Sequence, residues 1–386
     1  MSNQKNTPLR FGYTTGTCAA AAAKAALLLL VDHMNHDHQS SRDSITVSLP
    51  RGGHYGDTAR LPIHRRGMQG EGSFSEIIKD GGDDPDVTHG AVIRADVSWS
   101  DDSAGQGNSK DEIFNIEILG GMGVGRVTRT GLPVPVGEPA INPVPRKMIV
   151  HEISEVLRQY GIQRNVKVII SVPDGERIAR LTMNARLGIT GGISILGTRG
   201  VVVPFSSAAY RSSLAVTIKA AAENGLQHLV LTTGGRSEKY AMELYPELEP
   251  MSFIEAGEFI GFSLKKCQSN EILKVTLSGM IGKLSKVASG VLMVHSSKSS
   301  IDFDFLARCA EEAGADTELV EKIKKANTAS EVGDWMNSQG LVGFFDILTS
   351  RCCEVCFSKV QGTLLVETVL FNMDGELLSR KSISIN

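Results

Sequence analysis

The stretch LRFGYTTGTCAAAAAKAALLLL, from Leu9 to Leu30, decides the first element of the fold. Alanine and leucine are strong helix formers, so its second half predicts a helix. That helix is apolar on every side apart from Lys24, which is typical of a buried helix rather than an amphipathic one. The segment before it, TTGTC, supplies hydroxyl caps and a glycine, which suit either tight packing or a binding site.

Composition and charge narrow the class of protein. The chain has 386 residues and a formal net charge of −3, which predicts two or three domains and no nucleic-acid partner. The apolar run 19–31 is shorter than the ~20 residues of a membrane span, and no signal-peptide cleavage site follows it. The six cysteines form no spaced framework. We therefore expect reduced thiols, a cytoplasmic protein and no membrane partner.

Periodicity divides the chain into three predicted domains. Residues 1–162 combine short alternating strands with two helices, which predicts an α+β domain that holds the buried Ala-rich helix and an acidic loop. In residues 163–300 strands alternate with helices, which predicts an open, mainly parallel α/β domain with Gly-rich cofactor loops. Residues 301–386 predict helices and a β-hairpin that turns at Asp374-Gly375. A polar stretch at 100–110 has the composition of an insertion.

Three glycine-rich loops follow predicted strands. Glycine lets backbone amides approach a ligand, and the start of the following helix favours a negative group. Three such loops at successive strand ends predict an adenosine-type cofactor site, although tight turns without a ligand would explain any one of them. None has the G-x-G-x-x-G or phosphate-loop spacing. The loops are 191–200 (GGISILGTRG), 232–235 (TTGG) and 278–283 (SGMIGK).

The segment KDGGDDPDVTHG places Asp83, Asp84, Asp86 and His89 close together in the sequence. Carboxylates beside an imidazole could hold a metal, orient a sugar or move a proton. The alternative is a solvated turn that its own side chains stabilise. Because the segment has a single histidine, we predict no metal site.

Other histidine and cysteine patterns are less informative. DHMNHDHQ, with His33, His36 and His38, has the composition of a solvated loop. Cys352, Cys353 and Cys356 include a C-x-x-C pair without a second pair, which predicts helix or core thiols. Cys18 lies near a helix start, where a thiolate is stabilised. No histidine is near it in the sequence, so a nucleophilic cysteine is only an alternative.

Six longer motifs together resemble the CbiD family, whose members are cobalt-precorrin-5B C(1)-methyltransferases of the anaerobic cobalamin pathway. The resemblance covers most of residues 9–304 in the same order, and it fades after 305. The motifs are LRFGYTTGTCAAAAAKAAL, KDGGDDPDVTHGA, GVGRVTRTGLPVPVGEPAINPVPRKMI, NARLGITGGISILGTRGVVVP, LTTGGRSEKYA and GKLSKVASGVLMVHS.

The resemblance implies methylation of ring carbon 1 of cobalt-precorrin-5B to give cobalt-precorrin-6A, with S-adenosyl-L-methionine as the cofactor. It also implies a cofactor site in the segment GGISILGT, with Gly191, Gly192, Ser194, Gly197 and Thr198. Strand-end reasoning, without the resemblance, adds Thr233, Gly234 and Gly235.

The implied substrate is a flat tetrapyrrole with acetate and propionate arms, which need local cations and helix N-termini. The start of the Ala-rich helix is suited to receive one carboxylate, and pure packing is its alternative. Asp84, Asp86 and His89 are predicted to handle a ring proton or ribose hydroxyls. The predicted substrate-binding residues are Thr14, Thr15, Gly16, Thr17, Arg126, Arg129, Arg146, Lys147, Arg186 and Lys283.

Two other functions are the alternatives. A nucleotide-dependent α/β oxidoreductase would need the G-x-G-x-x-G spacing after a strand, which the chain lacks. A non-catalytic tetrapyrrole-binding partner would need the macrocycle site but no adenosine site. The expected assembly of the chain is a homodimer.

Overall fold

The computed structural model describes residues 9–36, 42–50, 56–100, 114–295 and 299–384. The chain divides into two compact units, Met1–Ser206 and Ser207–Asn386. Most of the predicted insertion at 100–110 lies outside the described residues, and so does His38.

The first unit mixes helices with short strands. In chain order its elements are β1 (Gly12–Tyr13), α1 (Thr15–Met34), β2 (Ser44–Ser48), β3 (Thr58–Pro62), β4 (Arg65–Gln69), β5 (Gly72–Ile78), β6 (Val92–Ser100), β7 (Ile116–Gly120), β8 (Gly123–Val124), β9 (Arg126–Val127), α2 (Pro143–Gln159), β10 (Asn165–Ser171), α3 (Gly175–Ala179), β11 (Ile189–Thr190), β12 (Gly192–Ile193) and β13 (Val201–Val202).

Helix α1 is the centre of the first unit. It contacts α2, β5 and β6, and its alanines bring the backbones close because they carry nothing beyond Cβ. The hydroxyl of Ser73 on β5 donates to the carbonyl of Ala26 at 2.6 Å. The 20-residue helix is long and apolar enough to cross a membrane, but 89% of its most apolar window is buried inside the protein. The prediction that this helix is too short to span a membrane was therefore wrong. Its burial identifies α1 as a core helix.

The main sheet of the first unit has the strand order β4-β5-β6-β10-β7. Strand β10 runs antiparallel to β6 and parallel to β7. Val166, Val168 and Ile170 of β10 are buried in the same core as α1. The boundary between units therefore lies at 206/207 rather than at the predicted 162/163, because β10 completes the N-terminal sheet instead of opening the next one.

The second unit alternates helices with strands. In chain order its elements are α4 (Ser207–Glu223), β14 (His228–Thr232), α5 (Gly235–Leu244), a 3-10 turn (Pro250–Ser252), β15 (Phe253–Glu255), α6 (Ile260–Ser269), β16 (Lys274–Met280), α7 (Ile281–Ala288), α8 (Phe303–Glu312), α9 (Thr317–Lys324), α10 (Ala329–Ser338), α11 (Gly343–Lys359), β17 (Leu365–Phe371) and β18 (Leu377–Ile383).

The sheet of the second unit has the order β15-β14-β16-β17-β18. Its first four strands are parallel, and β18 is antiparallel to β17. The predicted open, mainly parallel α/β fold is confirmed, and so is the terminal hairpin. Because β17 also pairs with β16, residues 301–386 belong to the same unit as the parallel strands rather than to a separate C-terminal part.

The clustered cysteines lie inside this second unit. Cys352, Cys353 and Cys356 are buried on α11. Burial raises the pKa of the Cys352 and Cys356 thiols well above the ordinary value. These residues are core thiols, as predicted.

A buried polar network lies at the amino ends of the parallel strands in the second unit. The carboxylate of Glu367 accepts from Tyr245 at 2.7 Å, from Thr276 at 2.6 Å and from Arg380 at 2.8 Å. Burial would raise the pKa of Glu367, but these hydrogen bonds outweigh it and hold the pKa at about 2. His228 Nε2 lies 2.8 Å from the Thr276 hydroxyl. Because that hydroxyl donates to Glu367, the neutral His228 ring donates to it.

Protonation of His228 should make the second unit labile to mild acid. Burial, followed by the charge of Lys274, lowers the pKa of His228 to about 4, whereas an unfolded histidine has a pKa of ~6.5. The unfolded chain therefore binds an extra proton between these values, and stability present above pH ~6.5 is lost as the pH falls. We expect a loss of about 2 kcal/mol by pH 4.5, discounted for partial exposure.

Urea unfolding at pH 7 and pH 4.5 measures this loss. The chain has two tryptophans, so Trp99→Phe leaves Trp335 as a fluorescence probe of the second unit. His228→Gln keeps an N–H for Thr276 and should lose little stability over the same range. The Glu367 contribution is lost only below pH ~4.5 and does not interfere. Equal losses in both proteins would contradict the assignment.

Candidate functional site

Residues 196–200, later in the first unit, accept hydrogen bonds from the start of α1. Thr14 caps the helix, since its Oγ1 accepts from the backbone N–H of Thr17 at 3.2 Å. The Thr17 hydroxyl donates to the carbonyl of Gly200 at 2.6 Å, and the Thr15 hydroxyl donates to the carbonyl of Leu196 at 3.1 Å. Residues predicted for the substrate therefore contact the loop predicted for the cofactor.

Packing accounts for the small residues at this contact. The N–H of Gly16 donates to the carbonyl of Leu196 at 3.0 Å. A Cβ on Gly16 would lie within 3.0 Å of Pro145, and a Cβ on Gly197 within 3.0 Å of Thr14. The N–H groups of Gly16 and Thr17 therefore already have partners within the protein, and binding of a substrate carboxylate by Thr14, Thr15, Gly16 and Thr17 stays a prediction.

The acidic loop, residues 79–91, lies beside the same helix start. The N–H of Tyr13 donates to the carbonyl of Asp80 at 2.8 Å. A Cβ on Gly12 would overlap the backbone of Gly81 and Gly82. The two chain segments thus cross in direct backbone contact, which places the acidic loop against the residues that precede α1.

A buried ion pair anchors the acidic loop. Lys79 is 2% exposed, and its Nζ lies 2.6 Å from Asp86 Oδ2. Asp86 Oδ1 accepts from both the N–H and the hydroxyl of Thr88, at 2.8 Å and 2.5 Å. Burial would raise the pKa of Asp86, but Lys79 and Thr88 outweigh it and lower the pKa below the ordinary value. Asp86 is a charged anchor with both oxygens occupied.

The side chain of His89 is 55% exposed, and its Nδ1 faces the acidic loop, where it also lies 3.7 Å from Asp80 Oδ1. Its Nδ1 accepts from the N–H of Gly81 at 3.0 Å, which assigns the proton of the neutral ring to Nε2. Nε2 makes no hydrogen bond with the part of the chain that the structure describes. The half-exposed ring is therefore placed to donate a hydrogen bond to a ligand.

Asp84 ties the acidic loop to the end of the first unit. Its Oδ1 accepts from the N–H of Phe205 at 2.9 Å. Phe205 has φ +53°, a conformation that bulky residues rarely adopt, and its side chain is 70% exposed. The second oxygen of Asp84 has no hydrogen-bond donor among the described residues. Asp84 thus keeps one carboxylate oxygen available for a ligand or a proton.

Other charges of this region are engaged within the protein. Asp83 Oδ2 accepts from the N–H of Arg10 at 2.6 Å, and the Arg10 guanidinium pairs with Asp80. The bond to Arg10 is the largest cause of the lowered pKa of Asp80. Cys18 is fully buried, and burial raises its pKa to about 12. The full burial of this thiol argues against the alternative of a nucleophilic Cys18.

The glycines of the 191–198 segment have different roles. A Cβ on Gly192 would overlap the backbone of Gly123, the residue with which it pairs. Gly191 has φ +79° and open space beside it. Ser194 is buried, whereas Thr198 is exposed. Packing therefore explains Gly192 and Gly197, and binding of a cofactor by this segment stays a prediction.

The predicted cations of the first unit lie in different elements: Arg126 is in β9, whereas Arg146 and Lys147 are in α2. Arg126 and Arg129 follow β8, where Arg126 donates to the carbonyl of Gly137 and a Cβ on Gly188 would overlap Arg129. Arg146 Nε donates to the carbonyl of Ile141 at 3.0 Å. Arg186 is half-buried and Lys147 is exposed. Their contact with a substrate stays a prediction.

In the second unit, two of the predicted loops meet at adjacent strand ends. Thr233, Gly234 and Gly235 follow β14, and Lys283 on α7 donates to the carbonyl of Thr233. Burial lowers the pKa of Lys283, which Glu255 and Glu258 oppose. The third loop, 191–200, was predicted for the same sheet. This was wrong, because its short strands pair within the first unit.

No group of three or more His, Cys, Asp or Glu side chains in the described residues could hold a metal ion. The carboxylates of the acidic loop contact Lys79, Arg10, Thr88 and backbone N–H groups.

Comparison with known proteins gives full-length relatives. A cobalt-precorrin-5B C(1)-methyltransferase of Geobacillus kaustophilus (strain HTA426) is 51% identical over 372 residues, which cover 96% of this chain and 94% of the relative. One of Priestia megaterium is 50% identical over 96% of both chains. One of Leptospira borgpetersenii (serovar Hardjo-bovis, strain JB197) is 41% identical over 96% of this chain and 95% of the relative. The family model CbiD matches residues 2–204, and the model CbiD, C-terminal domain, matches residues 293–382.

The chain belongs to the CbiD family. A crystal structure at 1.9 Å of a cobalamin biosynthesis protein (cbiD) from Archaeoglobus fulgidus is 28% identical, covers 74% of this chain and 81% of that chain, and has a TM-score of 0.38. The resemblance drawn from six motifs is confirmed. It was wrong only in ending near residue 305, since the relatives and the second family model continue to the C-terminal strands.

Sequence reasoning missed several residues of this CbiD-family chain. Lys79 was passed over because a lysine after a strand is usually exposed. Phe205 was missed because its contact with Asp84 spans 121 residues. Glu255 was also missed, although its place at the carboxyl end of β15, one βαβ step after the Thr233-Gly234-Gly235 loop, can be read from the sequence pattern.

Proposed function

We propose that this CbiD-family chain transfers the methyl group of S-adenosylmethionine to ring carbon 1 of cobalt-precorrin-5B, a step of cobalamin biosynthesis that gives cobalt-precorrin-6A. The observation that carries the proposal is identity of 50–51% over 96% of the chain with relatives of that name. All six cysteines are free, which supports a cytoplasmic location. The homodimer stays a prediction.

The chemistry needs alignment more than a nucleophilic residue. The ring carbon attacks the sulfonium methyl in line, so that a C–C bond forms as the C–S bond breaks and S-adenosylhomocysteine leaves. Alignment can supply up to ~7–11 kcal/mol of such a barrier. The ring gains a positive charge with the methyl group and must then lose a proton, so the site needs a proton acceptor.

The contacts of the acidic loop divide its residues by role. Asp84 keeps one carboxylate oxygen without a donor, so we assign it as the proton acceptor. His89 donates from Nε2 to an oxygen or nitrogen of the substrate. Asp86, whose oxygens are both occupied, positions the loop. This division gives separate roles to three residues that were predicted together to handle a ring proton or ribose hydroxyls.

The arms of the tetrapyrrole need cations. Arg199 is exposed and makes no hydrogen bond or ion pair with the described residues, so we add it to the proposed carboxylate ligands. The other residues proposed for the substrate are Thr14, Thr15, Gly16, Thr17, Arg126, Arg129, Arg146, Lys147, Arg186 and Lys283. The residues that stay proposed for the cofactor are Gly191, Gly192, Ser194, Gly197, Thr198, Thr233, Gly234 and Gly235.

Methyl transfer tests the activity directly. The purified full chain is incubated with methyl-labelled S-adenosylmethionine and cobalt-precorrin-5B. We expect one label per macrocycle and an equal amount of S-adenosylhomocysteine. Binding of the macrocycle without any transfer of label would contradict the proposal and favour the non-catalytic partner.

Removing the proton acceptor should slow the reaction strongly. Asp84→Asn keeps an oxygen for the Phe205 N–H but removes the basic oxygen, so we expect kcat to fall roughly 100-fold or more with KM little changed. Asp83→Asn is the matched control, because it makes the same chemical change one residue earlier and keeps an oxygen for Arg10. Equal losses in both variants, or an unaffected Asp84→Asn, would overturn the assignment.

A further inference from the structure

The carboxyl ends of three adjacent strands in the second unit form a site of their own. The chain passes from β14 to β15 on one side and then crosses to β16 on the other side of β14. The strand order reverses at β14, and ligands of open α/β sheets bind at such a reversal, beyond the carboxyl ends of the strands. This topology gives the β14 end a reason to bind a ligand that does not depend on its glycines.

A glycine loop and a carboxylate flank this point. The loop is Thr233-Gly234-Gly235, after β14, and a Cβ on Gly235 would meet nothing within 4 Å. Glu255 ends β15, twenty residues after Gly235, and is the direct neighbour of Thr232 in the parallel ladder. The loop therefore leaves room for a ligand beside a carboxylate at the adjacent strand end.

The carboxylate of Glu255 is available. Glu255 is exposed, and its side chain makes no hydrogen bond or ion pair with the residues that the structure describes. Its backbone carbonyl accepts from the hydroxyl of Tyr210 at 2.8 Å. Glu258, by contrast, lies 3.5 Å from His295 Nε2. Of these two acids, Glu255 is the one free to accept hydrogen bonds from a ligand.

We infer that Glu255 binds the ribose hydroxyls of the adenosyl group of the methyl donor, next to the Thr233-Gly234-Gly235 loop. A carboxylate at the end of the second strand of a βαβ unit accepts from the ribose 2′-hydroxyl of adenine dinucleotides, and the same hydroxyl is present in S-adenosylmethionine. The identity of the ligand rests on the proposed function. The choice of Glu255, at the end of β15, and of a hydroxyl group as its partner rests on the topology of the second unit.

A pair of ligands tests the contact. The full chain is titrated calorimetrically with S-adenosylhomocysteine and with its 2′-deoxy analogue, with saturating cobyrinic acid present so that ordered binding does not hide the result. We expect the wild type to prefer the 2′-hydroxyl ligand by roughly ten-fold or more, as for hydrogen bonds to a charged group. Glu255→Gln should reduce this preference to less than about three-fold. Glu243→Gln, at the other end of α5, should keep it.

Each outcome decides the inference. A preference that persists in Glu255→Gln, a wild type without the preference, or a wild type that binds neither ligand would overturn it. The labelled-methyl assay judges the proposed function separately. Methyl transfer by a protein whose 2′-hydroxyl preference does not depend on Glu255 would leave the activity standing and remove only this site.

Discussion

Lys79→Met should lower the free energy of unfolding of the first unit by about 3–5 kcal/mol. Lys79 is 2% exposed, and the Asp86 side chain with which it pairs is 21% exposed. Without the ammonium group, Asp86 would keep only Thr88 as a partner in a place where water reaches poorly. A buried carboxylate left without its counter-charge costs far more than the net contribution of the intact pair.

A second variant separates the lost charge from lost packing. Lys79→Met with Asp86→Asn removes both charges, so it should recover part of the stability that Lys79→Met loses. Lys147→Met makes the same substitution at an exposed position of the same unit and should change stability by no more than about 0.5 kcal/mol. Urea unfolding is followed through Trp99, after Trp335→Phe has removed the second tryptophan. A Lys79→Met protein as stable as the Lys147→Met control would contradict the anchoring role.

Much of the fold could be predicted because its signals are local. The composition of α1 specifies a buried helix, and strand-helix alternation specifies the parallel sheet of the second unit. The place of β10 could not be predicted, since a buried strand pattern does not say which strands it pairs with. The sequence GERIARLTMNARLG, residues 175–188, has a helical pattern, but α3 ends at Ala179, and the Thr182 hydroxyl bonds back to the carbonyl of Ala179 at 2.8 Å where the chain turns.

The candidate site shows the same limit. Its motifs were evident in the sequence, but their meeting depends on contacts between distant segments. Thr15 bonds to the carbonyl of Leu196 across 181 residues, and Asp84 accepts from Phe205 across 121. No local pattern could have shown that the hydroxyls of Thr15 and Thr17 bond to the 196–200 segment. Nor could a local pattern have shown that one carboxylate oxygen of Asp84 has no donor among the described residues.

Gly192→Ala should abolish the fold of the first unit or destabilise it by about 4 kcal/mol or more. The new Cβ would overlap the backbone of Gly123, and backbone atoms cannot rotate away as a flexible side chain does. Gly123 has little room to move away, because it is itself packed closely against other backbone. It has φ +71°, and a Cβ on it would overlap the carbonyl oxygen of Val172 and contact the backbone of Gly175. Relief would require separating β8 from β12, which removes the pairing just before the 196–200 segment that bonds to the start of α1.

The neighbouring glycine supplies the matched control. Gly191 has φ +79° but open space for a side chain, and asparagine tolerates this conformation. Gly191→Asn should therefore fold and lose no more than about 1 kcal/mol. Thermal unfolding and Trp99 fluorescence compare the two proteins. If Gly192→Ala folds like Gly191→Asn, the backbone contact with Gly123 is not as close as described. If it does not fold, loss of S-adenosylmethionine binding on substitution of Gly192 cannot identify a cofactor ligand, and only variants such as Gly191→Asn can test binding at this loop.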